Sequence, residues 1–402
     1  MSRPIIAAII TEYHQYSHAD VIVGKFLRGF PCDDGLHPPR VDIVSMYLDQ
    51  VDTTDIGLET AREFGVPVYP SIRKALTLGG EHLAVDGVLL IGEHGDYTLN
   101  EKGQRLYPRR HLFEQIAGAL GLSGRSVPVF NDKHLSYSWE DAWWMMRRAQ
   151  ELRIPFMAGS SLPMGWRRPF LEHPLGTPIE AAVVLGYGPL ESYGFHALET
   201  LQCMLERRRG GESGVAAVQC LEGAEVWSWL AQQGDLSKLA HAAAESVWEK
   251  KGPWAEAPQH VPEPVAFVLD YRDGLRAGVV MVNGYCETWA YAAEAAGHVQ
   301  TCEVYLQSGS PHAHFSYLSL NVEEMFVTGR PTYPAERTLL TTGILAAAME
   351  SRYRGHVRLD TPHLAVRYDP VESIPYRPLG PEPTGATRLI SRPMGISGGE
   401  PS

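Results

Sequence analysis

Through the first 160 residues the apolar positions form short unbroken runs, separated by stretches where they recur with a helical period. Pro4 to Ile10 is such a run, and a strand apolar on both faces suits a parallel sheet covered on both sides. Ala19 to Phe30 then reads as a helix stopping at Gly29-Phe30-Pro31, with Val41 to Tyr47 as the next strand. The alternation continues with helix Asp55 to Phe64, a short strand Val66 to Tyr69, a helix from Ser71, strand Val85 to Ile91 and helix Pro108 to Leu120. Strand Val127 to Phe130, helix Ser138 to Leu152 and strand Ile154 to Ala158 complete the series. Ser138 is placed to cap its helix, with Glu140 and Asp141 at the positive end. Such alternation predicts an α/β fold with a doubly wound parallel sheet over 1–160, whose ligands bind outside the carboxyl ends of the strands.

Beyond Ser160 the pattern changes. Val265 to Tyr271 and Leu275 to Asn283 are strands joined by Arg272-Asp-Gly274 in the manner of a hairpin. Helices are expected at Tyr193 to Arg207, Ala224 to Gln232, Ser237 to Lys250 and Ala335 to Arg354. The region 161–372 is therefore read as an α+β domain with a large, mostly antiparallel sheet. Residues 373–402, rich in proline and glycine, read as an extended or partly disordered tail.

Composition narrows the function classes. With 402 residues, 44% of them hydrophobic, the chain can bury a large core. A net charge of -12 and the lack of long basic runs disfavour a nucleic-acid partner, whose phosphates such a surface repels. Cys32, Cys203, Cys220, Cys286 and Cys302 are odd in number and widely spread, and read as reduced thiols of a cytoplasmic protein. No leader and no apolar run of about 20 residues is present, so neither secretion nor membrane insertion is expected.

Two stretches concentrate ionisable groups. Gly186 to Glu199 is a glycine-punctuated turn entering a helix, with Glu191, His196 and Glu199 spaced to converge on one cleft. Asn131-Asp132-Lys133-His134 lies at a strand end, as do Glu93-His94, while Tyr13, His14 and His18 follow the first strand. The stretch Gly95 to Tyr107 is long enough to fold over the cleft, with Tyr97, Arg109 and Arg110 offering contacts to a sugar or carboxylate. His312 and His314 would share a face on a strand. Trp143, Trp144, Met145 and Met146 read as packing, and Trp227, Trp229, Trp248 and Trp254 as core or as a sugar platform.

The order of a dinucleotide-type domain and an α+β domain, with a glycine-rich turn before a histidine, resembles the glucose-fructose oxidoreductase and inositol dehydrogenase (Gfo/Idh/MocA) family over most of the chain. That family ends a strand in Glu-Lys-Pro, its lysine beside the reacting carbon; this chain reads Asp132-Lys133-His134. The family's Gly-Gly-Gly-x-Leu-x-Asp-x-Gly-x-His aligns without gaps onto Gly186 to His196. The resemblance implies a Rossmann-like first domain, Lys133 and His196 as catalytic groups, and Glu191 standing in for the aspartate whose own position holds Ser192. It also implies a homo-oligomer built on the open face of the second sheet.

The chain departs from the family after its first strand. Anchoring Gly-x-Gly-x-x-Gly-x-x-His on His18 puts Ile10, Glu12 and Gln15 at the glycine positions. Those glycines let backbone N–H groups and a helix N-terminus approach a pyrophosphate. Side chains oppose that approach, and Glu12 sets a carboxylate near two phosphate charges, so NAD(P) in the usual pose is doubtful. Tyr13, His14 and His18 are left as candidate cofactor contacts.

Glu93, His94, Asp132, Lys133, His134, Glu191, Ser192 and His196 are thus expected around one cleft. Lys133 is read as a base of lowered pKa or a cation facing an oxyanion, with His196 as its proton partner, or else as a structural ion pair with Asp132 or Glu93. Glu93, His94 and His134 are a candidate set for a divalent metal; hydrogen bonding to a sugar or to buried carbonyls is the alternative. The chain is read as an enzyme on a sugar, polyol or related polar metabolite, using Lys/His proton transfer with weak or no usual NAD(P) binding. The alternatives are an NAD(P)-dependent sugar dehydrogenase with an altered cofactor pose and a non-catalytic polyol-binding or scaffold protein.

Overall fold

The apolar run near the N-terminus forms β1 (Ile5–Ile10), fully buried from Ile6 onward because both of its faces are covered. The computed structural model describes residues 3–307, 309–378 and 380–383. After β1 come α1 (His18–Arg28), β2 (Phe30–Cys32), β3 (Gly35–His37), β4 (Asp42–Leu48), α2 (Gly57–Glu63) and α3 (Ile72–Leu76). Then follow β5 (Gly87–Ile91), α4 (Arg109–Ser123), β6 (Val129–Asp132), α5 (Trp139–Glu151) and β7 (Phe156–Gly159). Five of these strands make an all-parallel sheet in the order β4-β1-β5-β6-β7, the doubly wound arrangement expected. Ser17 and Ser138 cap α1 and α5, their Oγ atoms accepting the N–H of Asp20 and Asp141. The strand expected at 66–69 is reduced to one bridge between Val68 and Met46, and the small β2–β3 hairpin was not foreseen.

The second half holds β8 (Trp166–Arg168), β9 (Ile179–Gly186), α6 (Leu190–Leu205), β10 (Val215–Glu222), α7 (Ala224–Gln232), α8 (Gly234–Ser246) and α9 (Ala257–His260). It continues with β11 (Val265–Tyr271), β12 (Arg276–Met281), β13 (Trp289–Ala295), β14 (His298–Tyr305), α10 (His314–Thr328), α11 (Glu336–Tyr353) and β15 (Leu359–Asp360). Eight strands pair in the order β15-β10-β11-β12-β9-β13-β14-β8, antiparallel except for β12 with β9. One face shares a continuous core with α6, α11 and the first sheet. The other is covered by α7 and α8, which leave Val183, Leu185, Val280 and Ala292 fully buried. α7 and α8 thus lie on a face of the sheet that was expected to be open.

His312 and His314 do not lie on a strand. His314 opens α10, and His312 sits in the preceding turn with φ of 52°. α10 crosses back to the first sheet, where Leu318, Val322, Met325 and Phe326 share a core with Ile6, Ala8 and Ile10. A Cβ at Gly87 in β5 would come within 2.5 Å of the Phe326 ring, so this crossing requires glycine there. Residues on both sides of position 160 share these core clusters. At the start of the expected tail Ile374 is buried, and Asn321 Nδ2 donates to Tyr376 O. The part from residue 384 lies outside the described residues. Among the described residues no helix is long and apolar enough to cross a membrane.

Candidate active site

The carboxyl ends of β1, β5, β6 and β7 and the start of α6 surround a cleft of ≈ 1890 Å³. Lys133, immediately after β6, takes φ of 67°, and His94 near the end of β5 takes 69°. Left-handed backbone at non-glycine residues costs on the order of 1–3 kcal/mol and concentrates where function demands it. At Lys133 it is held by the Lys133 N–H donating to Gly159 O (3.0 Å) and by Asn131 Nδ2 donating to Asp132 O (3.0 Å).

Lys133 Nζ lies 2.7 Å from His196 Nε2, and His196 Nδ1 lies 2.6 Å from Ser160 Oγ. An ammonium only donates, so Nε2 accepts and the imidazole proton is assigned to Nδ1, directed at Ser160. Ser160 Oγ also accepts the Leu162 N–H (3.1 Å), which fixes the hydroxyl as the anchor of this tautomer. Burial, reinforced by the charge of Lys133, holds His196 well below the ordinary imidazole value and keeps it neutral.

The carboxylate beside Lys133 is Glu93, with Oε1 3.8 Å from Nζ. Burial acts to raise Glu93, but Lys133 and Arg109 outweigh it and leave this carboxyl below its ordinary value. The other oxygen of Glu93 pairs with Arg109, which is wholly buried and whose Nη1 is 3.0 Å from His134 Nε2. A guanidinium thus fills the space between Glu93 and His134 that a cation would need. The metal set of Glu93, His94 and His134 is not assembled, and among the described residues no group of three or more His, Cys, Asp or Glu is arranged to hold an ion.

His18 and Asp132 form a second pair, with Nδ1 and Oδ2 2.7 Å apart. Burial pushes Asp132 up to about 6 and holds His18 well below its ordinary value. A neutral His18 donates Nδ1–H to this carboxylate, which leaves Nε2 as an acceptor on a residue that lines the cleft. Glu191, in the first turn of α6, accepts the Arg105 N–H through Oε2 (2.7 Å), while its buried Oε1 has no partner. Burial raises Glu191 to about 7. No bond or ion pair among the described residues joins it to Lys133 or His196, so in contact with Lys133 it is Glu93 that stands where Glu191 was expected.

Glu93, His94, Lys133, His134, Glu191, Ser192 and His196 all line the one cleft, as does His18. Other candidates do not. Arg109 and Asp132 lie behind the wall, and Tyr97 donates its hydroxyl to Asp49 Oδ2 (2.7 Å) on the outer side. Tyr13 is fully buried in the core, and His14 packs edge-on against His94 with ring centres 4.9 Å apart. Arg110 lies over the Trp144 ring at 3.3 Å. Glu199 accepts the hydroxyls of Thr341 (2.7 Å) and Thr338 (3.3 Å) in the core, so it does not converge with Glu191 and His196. Ser160 was missed, although it lies two residues past the strand expected at Ile154 to Ala158, where ligand groups of such sheets gather. Tyr187, Tyr193 and Trp289, which line the cleft beside His196, come from three separate elements and leave no sequence signal.

No family model and no curated protein matches the chain. Solved structures match its shape. GenD2 from gentamicin A biosynthesis, in complex with NAD, does so with a TM-score of 0.55 and 15% identity, over 90% of this chain and 97% of that one. Apo scyllo-inositol dehydrogenase from Lactobacillus casei gives 0.54 and 11%, over 90% and 99%. Myo-inositol 2-dehydrogenase from Lactobacillus plantarum gives 0.54 and 12%, over 89% and 99%. The chain has the fold of these dehydrogenases.

Within the dehydrogenase fold, the loop after β1 is where a dinucleotide pyrophosphate would meet the N-terminus of α1. Here that end is already engaged: Ser17 Oγ accepts the Asp20 N–H (3.3 Å), and the Asp20 carboxylate accepts the Tyr16 N–H (3.0 Å). Glu12 Oε1 stands 3.7 Å from His14 Nε2, and Thr11 Oγ1 donates to Glu93 O (2.7 Å). Two carboxylates and a capped helix end do not fit a diphosphate in the usual seat.

Proposed function

We propose that the protein is an enzyme of the sugar and polyol dehydrogenase fold that moves protons on a small polar, hydroxyl-bearing metabolite at the Lys133–His196 pair, with NAD(P) held weakly or not at all in the usual pose. The observation that carries this is the 2.7 Å contact between Lys133 Nζ and His196 Nε2, inside a cleft and backed by Ser160. A substrate oxyanion at Lys133 Nζ would take a proton from the ammonium, and the lone pair of His196 Nε2 holds that ammonium in place. The buried positive charges of Lys133 and Arg109 favour an alkoxide or enediolate in the same place. Glu191, poised near neutrality, would supply or take a second proton from the α6 side.

Proton exchange between solvent deuterium and the carbon-bound hydrogens alpha to the carbonyl of ketoses, uronates and keto-cyclitols, followed by NMR, tests the reading. Exchange by the wild type that Lys133→Met abolishes supports it. Exchange that survives the substitution sinks it. A second reading, an NAD(P)-dependent sugar or polyol dehydrogenase with an altered cofactor pose, is favoured by the likeness in fold to the NAD complex of GenD2. Turnover that requires added NAD(P) and leaves a reduced-nicotinamide absorbance would decide for it.

A further inference from the structure

Six buried polar atoms on residues lining the cleft have no hydrogen-bond partner among the described residues: His94 Nε2, His134 Nδ1, Arg168 Nε, Glu191 Oε1, His312 Nε2 and Trp289 Nε1. Buried polar groups are nearly always bonded, so a set of orphans around one cavity marks where the groups of a ligand go. Two sets are separated by α6. On one side Glu191 Oε1 is 3.9 Å from His134 Nε2, and Phe195, one turn along, packs on the His134 ring with centres 5.3 Å apart. On the other side Tyr193 and His196 face Trp289, at 5.5 and 5.8 Å between ring centres.

Trp289 opens β13 and is 3% exposed, yet its indole N–H is unbonded. Tyr187, just past β9, meets its ring at 4.7 Å, and Tyr193 stacks on it with 27° between planes. Both tyrosines are half-buried on the cleft wall. Gly188 between them has φ of 87°, and a Cβ there would lie 2.3 Å from the Tyr193 ring, so the turn and the aromatic wall are built as a unit. The cleft, at ≈ 1890 Å³, also exceeds the roughly 300–1,000 Å³ usual for one small ligand.

We propose that Tyr187, Tyr193 and Trp289 form a second ring subsite beside the Lys133–His196 pair, and that the substrate is a glycoside-like molecule of at least two rings, one reacting at Lys133 and the next held on the aromatic wall. The inference rests on the reading of the cleft as a polyol site. The apolar face of a sugar or cyclitol ring covers half-buried tyrosine, while the Trp289 N–H donates to a ring or hydroxyl oxygen. A wholly apolar ligand would leave all six orphans unpaired. A polyphosphate would meet the carboxylates of Glu93 and Glu191.

Calorimetry on the purified protein tests this, with myo-inositol and D-glucose as one-ring probes and cellobiose and sucrose as two-ring probes. The two-ring probes should bind roughly tenfold more tightly, the worth of one hydrogen bond with added ring contact. Trp289→Phe keeps the ring and removes the donor, and should weaken two-ring binding by about 3–10-fold while changing one-ring binding by less than about twofold. Tyr187→Ala should act in the same direction; should it fail to fold, Trp289→Phe decides alone. Equal affinity for the two sizes, or two-ring affinity untouched by the substitutions, overturns the subsite and leaves the one-ring reading standing. Binding of neither size overturns both.

Discussion

His18 Nδ1 lies 2.7 Å from Asp132 Oδ2, so the loop that takes the place of a glycine turn is tied to the strand end that presents Lys133. A position anchored on a nucleotide-type motif thus holds the residue beside Lys133 instead. The end of β5 brings Glu93 to 3.8 Å from Lys133 Nζ. Lys133 is therefore flanked by carboxylates that are themselves buried and held.

Lys133→Met keeps most of the apolar stem and removes the donor. Turnover should fall by roughly 10²–10⁴-fold, and His196→Gln should fall by a similar factor, the span for losing a positioned acid or base. Because the two act as a unit through one 2.7 Å contact, the double variant should be little worse than either single one. Steady-state kinetics checks this; additive losses would separate the two roles, and full activity in both would move the chemistry elsewhere.

Glu191 has a folded value of about 7 against an ordinary 4.5, raised chiefly by burial. Between these values the native state keeps a proton that the unfolded chain has released, so its contribution to stability falls as pH rises from about 4.5 through 7. The span sets an upper bound of roughly 3 kcal/mol. Denaturant titrations at pH 5 and pH 8 should show Glu191→Gln gaining on the wild type at the higher pH. The same substitution should remove a limb near pH 7 from the rate profile. Parallel stability curves for the two proteins would show that Glu191 ionises like a surface carboxylate.

Histidines act in the opposite sense. Burial holds His18, His134, His196 and His314 well below 6.5, and His94 and His312 at about 4. The unfolded chain binds protons at these sites as pH drops past 6.5 and the native state does not, so stability is lost on acidification. Each contributes a loss of at most about 2 kcal/mol by pH 5. Asp132 and Glu191, which retain protons in the native state, offset part of it. Melting temperatures should drop steeply between pH 7 and pH 5; a flat profile would mean that these imidazoles are solvated.

How much of this was legible depended on period and on distance along the chain. β1, β5 and β7 were readable because each is an unbroken apolar run, β6 from the apolar stretch Val127 to Phe130 that leads into it, and α5 because Ser138 and its acidic first turn mark the start. The Lys133–His196 contact was reachable through two local motifs. α10 was not foreseen: it is buried on nearly all sides, so it lacks the polar face that gives a surface helix its period. The role of Arg109 was missed for a related reason, since nothing local shows that a guanidinium at a helix start will be wholly buried between Glu93 and His134. Glu199 looked like a partner of His196 on spacing alone, but the hydroxyls of Thr338 and Thr341, about 140 residues away, decide its orientation.

Nucleotide affinity is the sharpest remaining test of the β1–α1 loop. NAD(H) and NADP(H) should bind with dissociation constants on the order of millimolar, about −4 kcal/mol. The diphosphate would have to displace the Asp20 carboxylate from the Tyr16 N–H and lie near Glu12, whose carboxyl value burial raises. Glu12→Gln should therefore tighten binding only modestly, by less than about tenfold, because Asp20 and Ser17 still occupy the helix end. Replacing Asp20 by asparagine as well should give the larger gain, since it removes the charge at the positive end of α1. Calorimetry that finds micromolar binding in the wild type would overturn the argument, and would mean that the loop opens to admit the nucleotide.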